Sequence, residues 1–366
     1  MTDSEESIDA LAGVRLSIVV ANYNGMATLP RMLTSLRGYP IQLEEIIVVD
    51  DGSTDGSQAW LRQQHPDVRL IAFESNTGNV ARVRNTGLRA ARGTHAFLTD
   101  NDIELLPGCL HRLLETMLEA PDVFCTTPRL VYRDRPDVIF QDGNGMHCLA
   151  LGTGTRRGTP VTSFDVPEPF PTCGGGMMML DLDKARAIGL FDEGYMHAWA
   201  DDGELQLRGA LYGYRCLHVA AAVATHAAKD HGTGRAFGQI YNRFRVLFTF
   251  FEARTLLVFA PSLVLFELAL IAGSLAGGFF GAYRRAVALT WRNRREILST
   301  RGRMQDRRRV ADSEILRSGP FEVPGAVAPG TGGRVVLRVV QLLCDANWAL
   351  VRGVDSLFRR VRHAAP

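Results

Sequence analysis

FLTDNDIELLPG, residues 97–108, is the stretch on which the reading of this chain turns. Phe97 and Leu98 close an apolar run, and Asp100, Asn101, Asp102 and Glu104 follow directly. Asp and Asn are poor strand formers, so the acids stand where a strand ends. Carboxylates this close repel one another and call for a positive partner. In an extended chain Asp100 and Asp102 fall on the same side, where a divalent cation turns repulsion into coordination. Magnesium or manganese is commonly held by one or two carboxylates, with phosphate oxygens completing the shell. The alternative is a solvated turn in which Asp102 or Glu104 caps a helix.

The same punctuation recurs upstream. Residues 15–21 (RLSIVVA) read as a buried strand ending at Asn22-Tyr23-Asn24-Gly25, and 45–49 (EIIVV) as a second ending at Asp50-Asp51-Gly52-Ser53. Residues 68–73 and 95–99 give a third and a fourth. Between them, Leu29, Met32, Leu33 and Leu36 share a helix face with Pro30 near its start. Ser57–Gln64 and Ala81–Ala91 supply two further helices. Strands alternating with helices predict parallel βαβ units, whose ligands bind beyond the carboxyl ends of the strands. The polar clusters at 22–24, 50–51 and 100–102 therefore converge on one edge. Asp50-Asp51 suits ribose hydroxyls or a base N–H, or else an Asx turn capped by Ser53.

Competing chemistries lack support. There is no GxGxxG after the first strand, no lysine in a Walker A pattern and no HExxH. The six cysteines form no CxxC pair, which leaves buried free thiols in a reducing cytoplasm as the reading. His226 and His231 lack an evident third ligand for zinc. The N-terminus, MTDSEESIDALAG, does not have the basic-then-apolar pattern of a signal peptide.

Farther on, 128–172 reads as an irregular excursion with short strands, and 215–224 as a late strand. Leu205, Leu207 and Leu211 fit a helix that starts at the acidic turn Asp201-Asp202-Gly203-Glu204. That turn is either a helix N-cap or a pair of acids able to serve as a general base, and the two roles are compatible. Gly174, Gly175 and Gly176 let a ligand approach the backbone or else serve tight packing. Trp199 stacks on that ligand or fills the core.

SIVVANYNG (17–25), EIIVVDDGSTDGS (45–57), NTGNVARVRNTGLRAARG (76–93), FLTDNDIELLPG, CGGGMMML (173–180), GLFDEGYMHAWADDGELQLR (189–208) and ATH (224–226) occur in one order. As an ordered set they resemble inverting family-two glycosyltransferases of the membrane-associated bacterial type. The resemblance covers about residues 15–231. It implies an α/β GT-A fold, which is a Rossmann-like nucleotide-diphospho-sugar transferase domain with a mostly parallel sheet. It also implies a nucleotide-sugar donor and a divalent cation, Mn2+ or Mg2+. Residue by residue, it implies Tyr23 and Asp51 as nucleobase contacts with Asp50 in support, and Arg84 and Asn85 on the donor side. Asp100 resembles the ribose or metal acid, Asp102 the metal ligand, and His226 a histidine near metal and diphosphate. Asp201-Asp202 resemble the family's Glu-Asp pair, whose second acid is the base, and Arg208 a diphosphate or helix-bracing arginine. The chain departs from the family pattern at Ala21-Asn22, at Asn101, at Asp201 for the usual Glu and at Glu204 for the usual Asp. A catalytically silent nucleotide-sugar-binding scaffold at the membrane is the alternative function. A nucleotidyltransferase would need a Gly- and Lys-rich loop near the first strand, which is absent.

The expected division is a short N-terminal segment (1–14), a GT-A domain (15–232) and a helical, membrane-associated region (233–366). The net charge of +2 conceals a basic segment at 284–309, with ten Arg and two acids. Residues 255–283 carry a single charge, Glu267, and exceed the roughly 20 apolar residues of a spanning helix. Nucleotide sugars place the domain in the cytosol, and the Arg cluster belongs there too under the positive-inside rule. One span cannot satisfy both. The expectation is a peripheral, monotopic or re-entrant element at the cytoplasmic face, broken near Pro261. Tyr241 to Phe251 would form an interfacial entry helix, and residues 240–310 would be the membrane surface. Anionic headgroups, rather than nucleic acid, are the expected partner of the Arg cluster. Gly273, Gly277 and Gly281 suit close helix contact. Residues 317–333 read as a linker and 334–362 as an amphipathic helix. The acceptor expected is a saccharide, lipid-linked or of the cell envelope.

Overall fold

The computed structural model describes residues 13–37, 43–153, 156–163, 169–172, 174, 176–196, 200–227, 235–321 and 330–364. β1 (Leu16–Asn22), α1 (Leu29–Ser35), β2 (Leu43–Asp50), α2 (Ser57–Gln64), β3 (Arg69–Ala72), α3 (Val80–Ala90) and β4 (His95–Asp100) alternate as expected. β1 pairs in parallel with both β2 and β4, and β2 in parallel with β3. The chain thus leaves β1 on one side and returns on the other. That reversal opens a crevice at the carboxyl ends of β1 and β4, the usual ligand position in such sheets. Ile18, Val19, Val20, Val48 and Val49 are buried, as parallel strands covered on both faces require. α3 is capped by Asn79, whose side chain accepts from Arg82 N. It sits so close to β1 that a Cβ on Gly87 would lie 2.3 Å from Val19 Cγ1.

Next come β5 (Ile103–Leu105), α4 (Cys109–Leu118), β6 (Val123–Tyr132), β7 (Ile139–Gln141), β8 (Gly145–His147), β9 (Gly152–Thr153), β10 (Phe170–Pro171) and β11 (Met178–Asp181). α5 (Leu182–Ile188), α6 (Gly203–Leu211) and β12 (Arg215–His226) follow. The main sheet has ten strands, ordered β10-β12-β6-β11-β4-β1-β2-β3 along its path, with β5 on β12 and β7 on β6. β11 runs antiparallel between β4 and β6, while β12 is parallel to β6. The sheet is mixed and mostly parallel.

β6 continues through the region whose sequence reads as irregular. Pro128 and Arg129 obscure it. Pro128 sits where the register with β12 shifts between Val219 and Val223, a place in a sheet that tolerates the missing donor. Arg129 is buried against Asp142, with hydrogen bonds of 2.9 and 3.1 Å. Asp142 also takes His218 Nε2 at 2.7 Å and Arg156 at 3.2 Å. Burial alone would raise the Asp142 carboxyl, but the His218 and Arg129 hydrogen bonds outweigh it and hold it well below the usual carboxylate range.

The C-terminal part comprises α7 (Ala236–Phe250), α8 (Ala253–Ala276), α9 (Phe280–Arg292), α10 (Arg294–Asp306), α11 (Asp312–Ile315), β13 (Leu316–Arg317) and α12 (Gly330–Ala364). α7 corrects the expected interfacial helix. Tyr241, Arg243, Arg245, Phe250 and Phe251 are buried, and Phe250 and Phe251 share the core cluster of Val19, Val49 and Leu98. Arg245 does not reach for lipid. It lies 2.7 Å from Asp192 and 2.7 Å from Glu296, with its guanidinium 5.2 Å from the Tyr195 ring centre. α8 runs unbroken through Pro261. The chain turns at Gly277-Gly278 instead, where Gly278 has φ +73°, a conformation glycine adopts freely. Gly277 therefore ends a helix, and a Cβ on Gly281 would meet nothing within 4 Å. Leu316 and Arg317, the second of which opens the expected linker, pair in parallel with β8.

Candidate active site

Three strand ends are bound into one rim. Asp50, at the end of β2, is fully buried and accepts from Asn22 Nδ2 (2.5 Å), Ser53 N (2.8 Å), Ser53 Oγ (2.6 Å) and Gln58 Nε2 (2.6 Å). Asn22, at the end of β1, uses its Oδ1 to accept from Asn101 Nδ2 at 2.7 Å, just past β4. Asn22 and Asn101 are two of the positions at which the sequence departs from the family pattern, and they are each other's partners. A neutral amide bridge spans the crevice floor there and adds no charge. Asp50 therefore braces the rim from within, in the supporting place expected of it beside Asp51: four donors occupy its oxygens. Asp51 stands beside the crevice and accepts from Thr77 N at 2.9 Å. Tyr23 is 50% exposed and lies next to Asn22 in the chain.

A second group gathers around one guanidinium. Arg84, on α3, is buried, with Nη2 3.2 and 3.3 Å from the two Asp100 oxygens and Nη1 3.7 Å from Asp201 Oδ2. A Cβ on Gly176 would lie 2.9 Å from Arg84 Nη2, 3.4 Å from Asp202 Oδ2 and 3.7 Å from Asp100 Oδ2. The donor-side acid, the acceptor-side acid and the arginine thus surround a position that admits no side chain. Asp202 is the N-cap of α6 and accepts from Gly203 N at 2.8 Å. Burial first, and the Asp201 charge second, push its carboxyl up to about 6, against the pull of Arg84. A carboxylate so tuned is ionised at neutral pH and basic enough to take a proton.

Asp102 and His226 form the third group. β12 pairs antiparallel with β5 and sets His226 opposite Ile103, so that His226 Nε2 lies 3.6 Å from Asp102 Oδ2. Burial lowers the His226 pKa against the opposing charges of Asp102 and Asp100. It is held neutral, the form that ligates metals. Its Nδ1 is buried and has no hydrogen-bond partner among the described residues. An imidazole of this kind beside a carboxylate fits a divalent cation whose shell is completed by phosphate oxygens. Asp100, expected on the ribose or the metal, hydrogen-bonds Arg84 Nη2 through both oxygens, and its side chain is 41% exposed. Among the described residues, no group of three His, Cys, Asp or Glu side chains is arranged to hold a metal.

Asn85, expected on the donor side, and Arg208, expected as a diphosphate or helix-bracing arginine, both act as braces. Asn85 is buried, donates to Phe191 O (3.0 Å) and Glu193 Oε1 (2.8 Å), and accepts from Phe191 N (2.9 Å). Arg208 holds Glu204 Oε1 at 2.8 Å and Ile188 O at 2.6 Å, and it also donates to Leu190 O. Their polar atoms face the chain between α5 and α6, not the crevice. Gly174 is a packing position: a Cβ there would lie 2.5 Å from Asn144 Cβ, and its N–H donates to Gln206 Oε1 at 2.7 Å. Gly175 and Trp199 lie outside the described residues.

Sequence reading missed one support. Asn242 of α7 donates to Met196 O (2.7 Å) and accepts from Met196 N (2.9 Å), while Arg245 grips Asp192. The C-terminal helices thereby hold the segment that leads to Asp201 and Asp202. Asn242 stands among Gln239, Arg243 and Arg245 on the same helix, so no local pattern singles it out.

The family model for glycosyl transferase family 2 matches residues 17–189. An uncharacterized glycosyltransferase of Bacillus subtilis (strain 168) is 28% identical over 230 residues, covering 61% of this chain and 78% of the relative. N-acetylglucosaminyl-diphospho-decaprenol L-rhamnosyltransferase of Mycobacterium tuberculosis is 26% identical over 245 residues, covering 60% and 78%. The crystal structure of GalNAc-T7 with UDP, GalNAc and Mn2+ superposes with a TM-score of 0.55 at 17% identity. It covers 70% of this chain and about half, 51%, of that one. At this identity the likeness is one of fold.

Proposed function

Because residues 17–189 are a family 2 glycosyltransferase domain of GT-A fold, we propose that the chain moves a sugar, with inversion, from a nucleotide-sugar donor to a hydroxyl of a lipid-linked or cell-envelope saccharide. The observation that carries this reading is the convergence of Arg84, Asp100 and Asp202 around Gly176. One buried cation joins the rim where donors lie to the acid that faces the acceptor. Asp51 and Tyr23 receive the base, Asp100 the ribose, and Arg84 holds Asp100 in place. Asp202 takes the proton of the acceptor hydroxyl as that oxygen attacks the anomeric carbon. Asp201 raises the basicity of Asp202 by its charge, and Gly176 keeps the approach clear. Asp102 and His226 would hold a divalent cation. When bound, it supplies positive charge for the departing diphosphate.

A polyprenyl-linked acceptor is supported by the Mycobacterium tuberculosis relative, whose name specifies a decaprenol-linked sugar. The position proposed with such an acceptor is the cytoplasmic face of a membrane, with the C-terminal helices toward the lipid. The test is a thermal-shift screen of nucleotide sugars with Mn2+ or Mg2+, followed by transfer to polyprenyl-diphosphate-linked sugars and determination of the product anomer. A donor at a hundredfold its Kd should add about 2.7 kcal/mol of stability. The reading fails if no nucleotide sugar shifts the melting temperature and none is consumed.

A further inference from the structure

α8 is 24 residues long, or about 36 Å at the α-helical rise. It is long and apolar enough to cross a membrane, yet it is built into the protein along one side. Thr255, Phe259, Ser262, Phe266 and Leu270 are buried. The opposite side, on a stripe of i, i+4 and i+7 steps, carries Leu257, Val264, Leu268 and Leu275, all exposed. Ala253, Ala260, Pro261 and Ala272 complete that stripe, which is bordered at the helix start by Arg254, paired with Glu252 at 2.9 Å. α12 packs beside α8, joined by Asn347 Nδ2 to Ser262 Oγ at 2.9 Å and by Phe259 against Trp348. It too turns apolar residues outward: Val335, Val339, Leu342 and Leu350 are exposed. Soluble surfaces rarely leave two adjacent helices apolar in this way.

We propose that the outward faces of α8 and α12 together embed in the plane of an anionic bilayer and do not span it. This deepens the lipid-linked-acceptor reading and rests on it for its purpose. Both ends of α8 return to the same body. At its start, Glu252 N donates to Asp312 Oδ2 at 2.8 Å, and Arg308 reaches Asp312 at 2.9 Å. At its end, the Gly277-Gly278 turn leads into α9, which packs on α7. Midway, Glu267 is paired with the buried Arg243 at 2.7 Å. A spanning pose would draw this ion pair and α7 into hydrocarbon, whereas an in-plane pose wets only the outer stripe.

Charge decides between lipid and a second copy of the chain. α9 and α10 expose Arg284, Arg285, Arg292, Arg294, Arg295 and Arg303, and of their two acids Glu296 is taken by Arg245. Trp291, 69% exposed, lies among them with Arg294 over its ring, an amphipathic side chain suited to a headgroup boundary. Two such faces would repel each other, but an anionic headgroup layer neutralises them.

The test is flotation of the full chain with vesicles rich in phosphatidylglycerol and with pure phosphatidylcholine. The wild type should float with the anionic vesicles and weaken as salt rises. Leu268→Glu with Leu342→Glu should lower partition about tenfold or more, with nucleotide-diphosphate thermal shifts unchanged. If that variant fails to fold, Leu268→Ser with Leu342→Ser replaces it, with the same direction expected. Equal partition by a folded variant overturns the proposal. So does salt-independent retention typical of a spanning helix, or a dimer that the variant dissolves without any vesicle binding. Intact partition without nucleotide-sugar binding would leave this surface standing and overturn the transferase reading alone.

Discussion

Asp202→Asn separates chemistry from stability. The Asp202 carboxyl rises from 3.8 to about 6 in the folded protein, through burial first and Asp201 second. Each pKa unit is worth about 1.4 kcal/mol, so ionised Asp202 destabilises the fold by at most ~3 kcal/mol. The side chain keeps partial contact with water, and solvent screening brings the figure to ~1–2 kcal/mol. A raised folded pKa gives a favourable contribution that is complete below the unfolded value. It is lost as pH climbs through about 6. Asn keeps an oxygen to accept from Gly203 N and never ionises. The variant should therefore match the wild type near pH 3.8 and be ~1–2 kcal/mol more stable above about pH 6. Urea unfolding along a pH series, without donor, measures the gap. Transfer should be nearly abolished while nucleotide binding persists, and the wild-type rate should fall tenfold per pH unit on the acid side of about 6. A variant that is less stable at every pH, or that turns over with the same acid limb, would refute both the base assignment and its electrostatic origin.

Three further outcomes follow from the geometry. Asp102→Ala should weaken Mn2+-dependent nucleotide-sugar binding by tenfold or more, and His226→Ala should act in the same direction; titration calorimetry with and without chelator decides, and unchanged metal-linked affinity would sink the pair as ligands. Gly176→Ala places a methyl 2.9 Å from Arg84 Nη2, so transfer should drop by about two orders of magnitude with little change in unfolding midpoint. Asp50→Ala leaves the Asn22, Ser53 and Gln58 donors without their acceptor and should destabilise the protein by ~2–4 kcal/mol; a change below half a kilocalorie in denaturant unfolding would count against the brace.

What the sequence determined by itself was periodic or ordered along the chain. The apolar runs before Asn22, Asp50 and Asp100 gave the strands, because parallel strands buried on both faces need them. The polar clusters at their ends gave the edge on which the site lies. The ordered motifs gave the family, and with it Asp51, Arg84, Asp102, Asp202 and His226 as positions to inspect.

Tertiary contact alone decided how those side chains divide the work. Asp50 and Asp51 are adjacent, yet one is enclosed by four donors and the other accepts from Thr77 N of a different segment. No local pattern tells them apart, because the partners arrive from other segments. Asn22 and Asn101 looked like separate departures until the β1–β4 register set them together. Asn85 read as a donor-side group and Arg208 as either a diphosphate or a helix-bracing arginine; burial against the chain between α5 and α6 turned the polar atoms of both inward and chose the brace. α7 shows aromatic and basic residues in alternation, which also describes a membrane-surface helix. Asp192 and Glu296, about 50 residues away on either side, made it a core element by neutralising Arg245. Hydrophobic periodicity reports which face of an element is buried. It does not report what lies opposite, and for charged and amide side chains the identity of that neighbour sets the role.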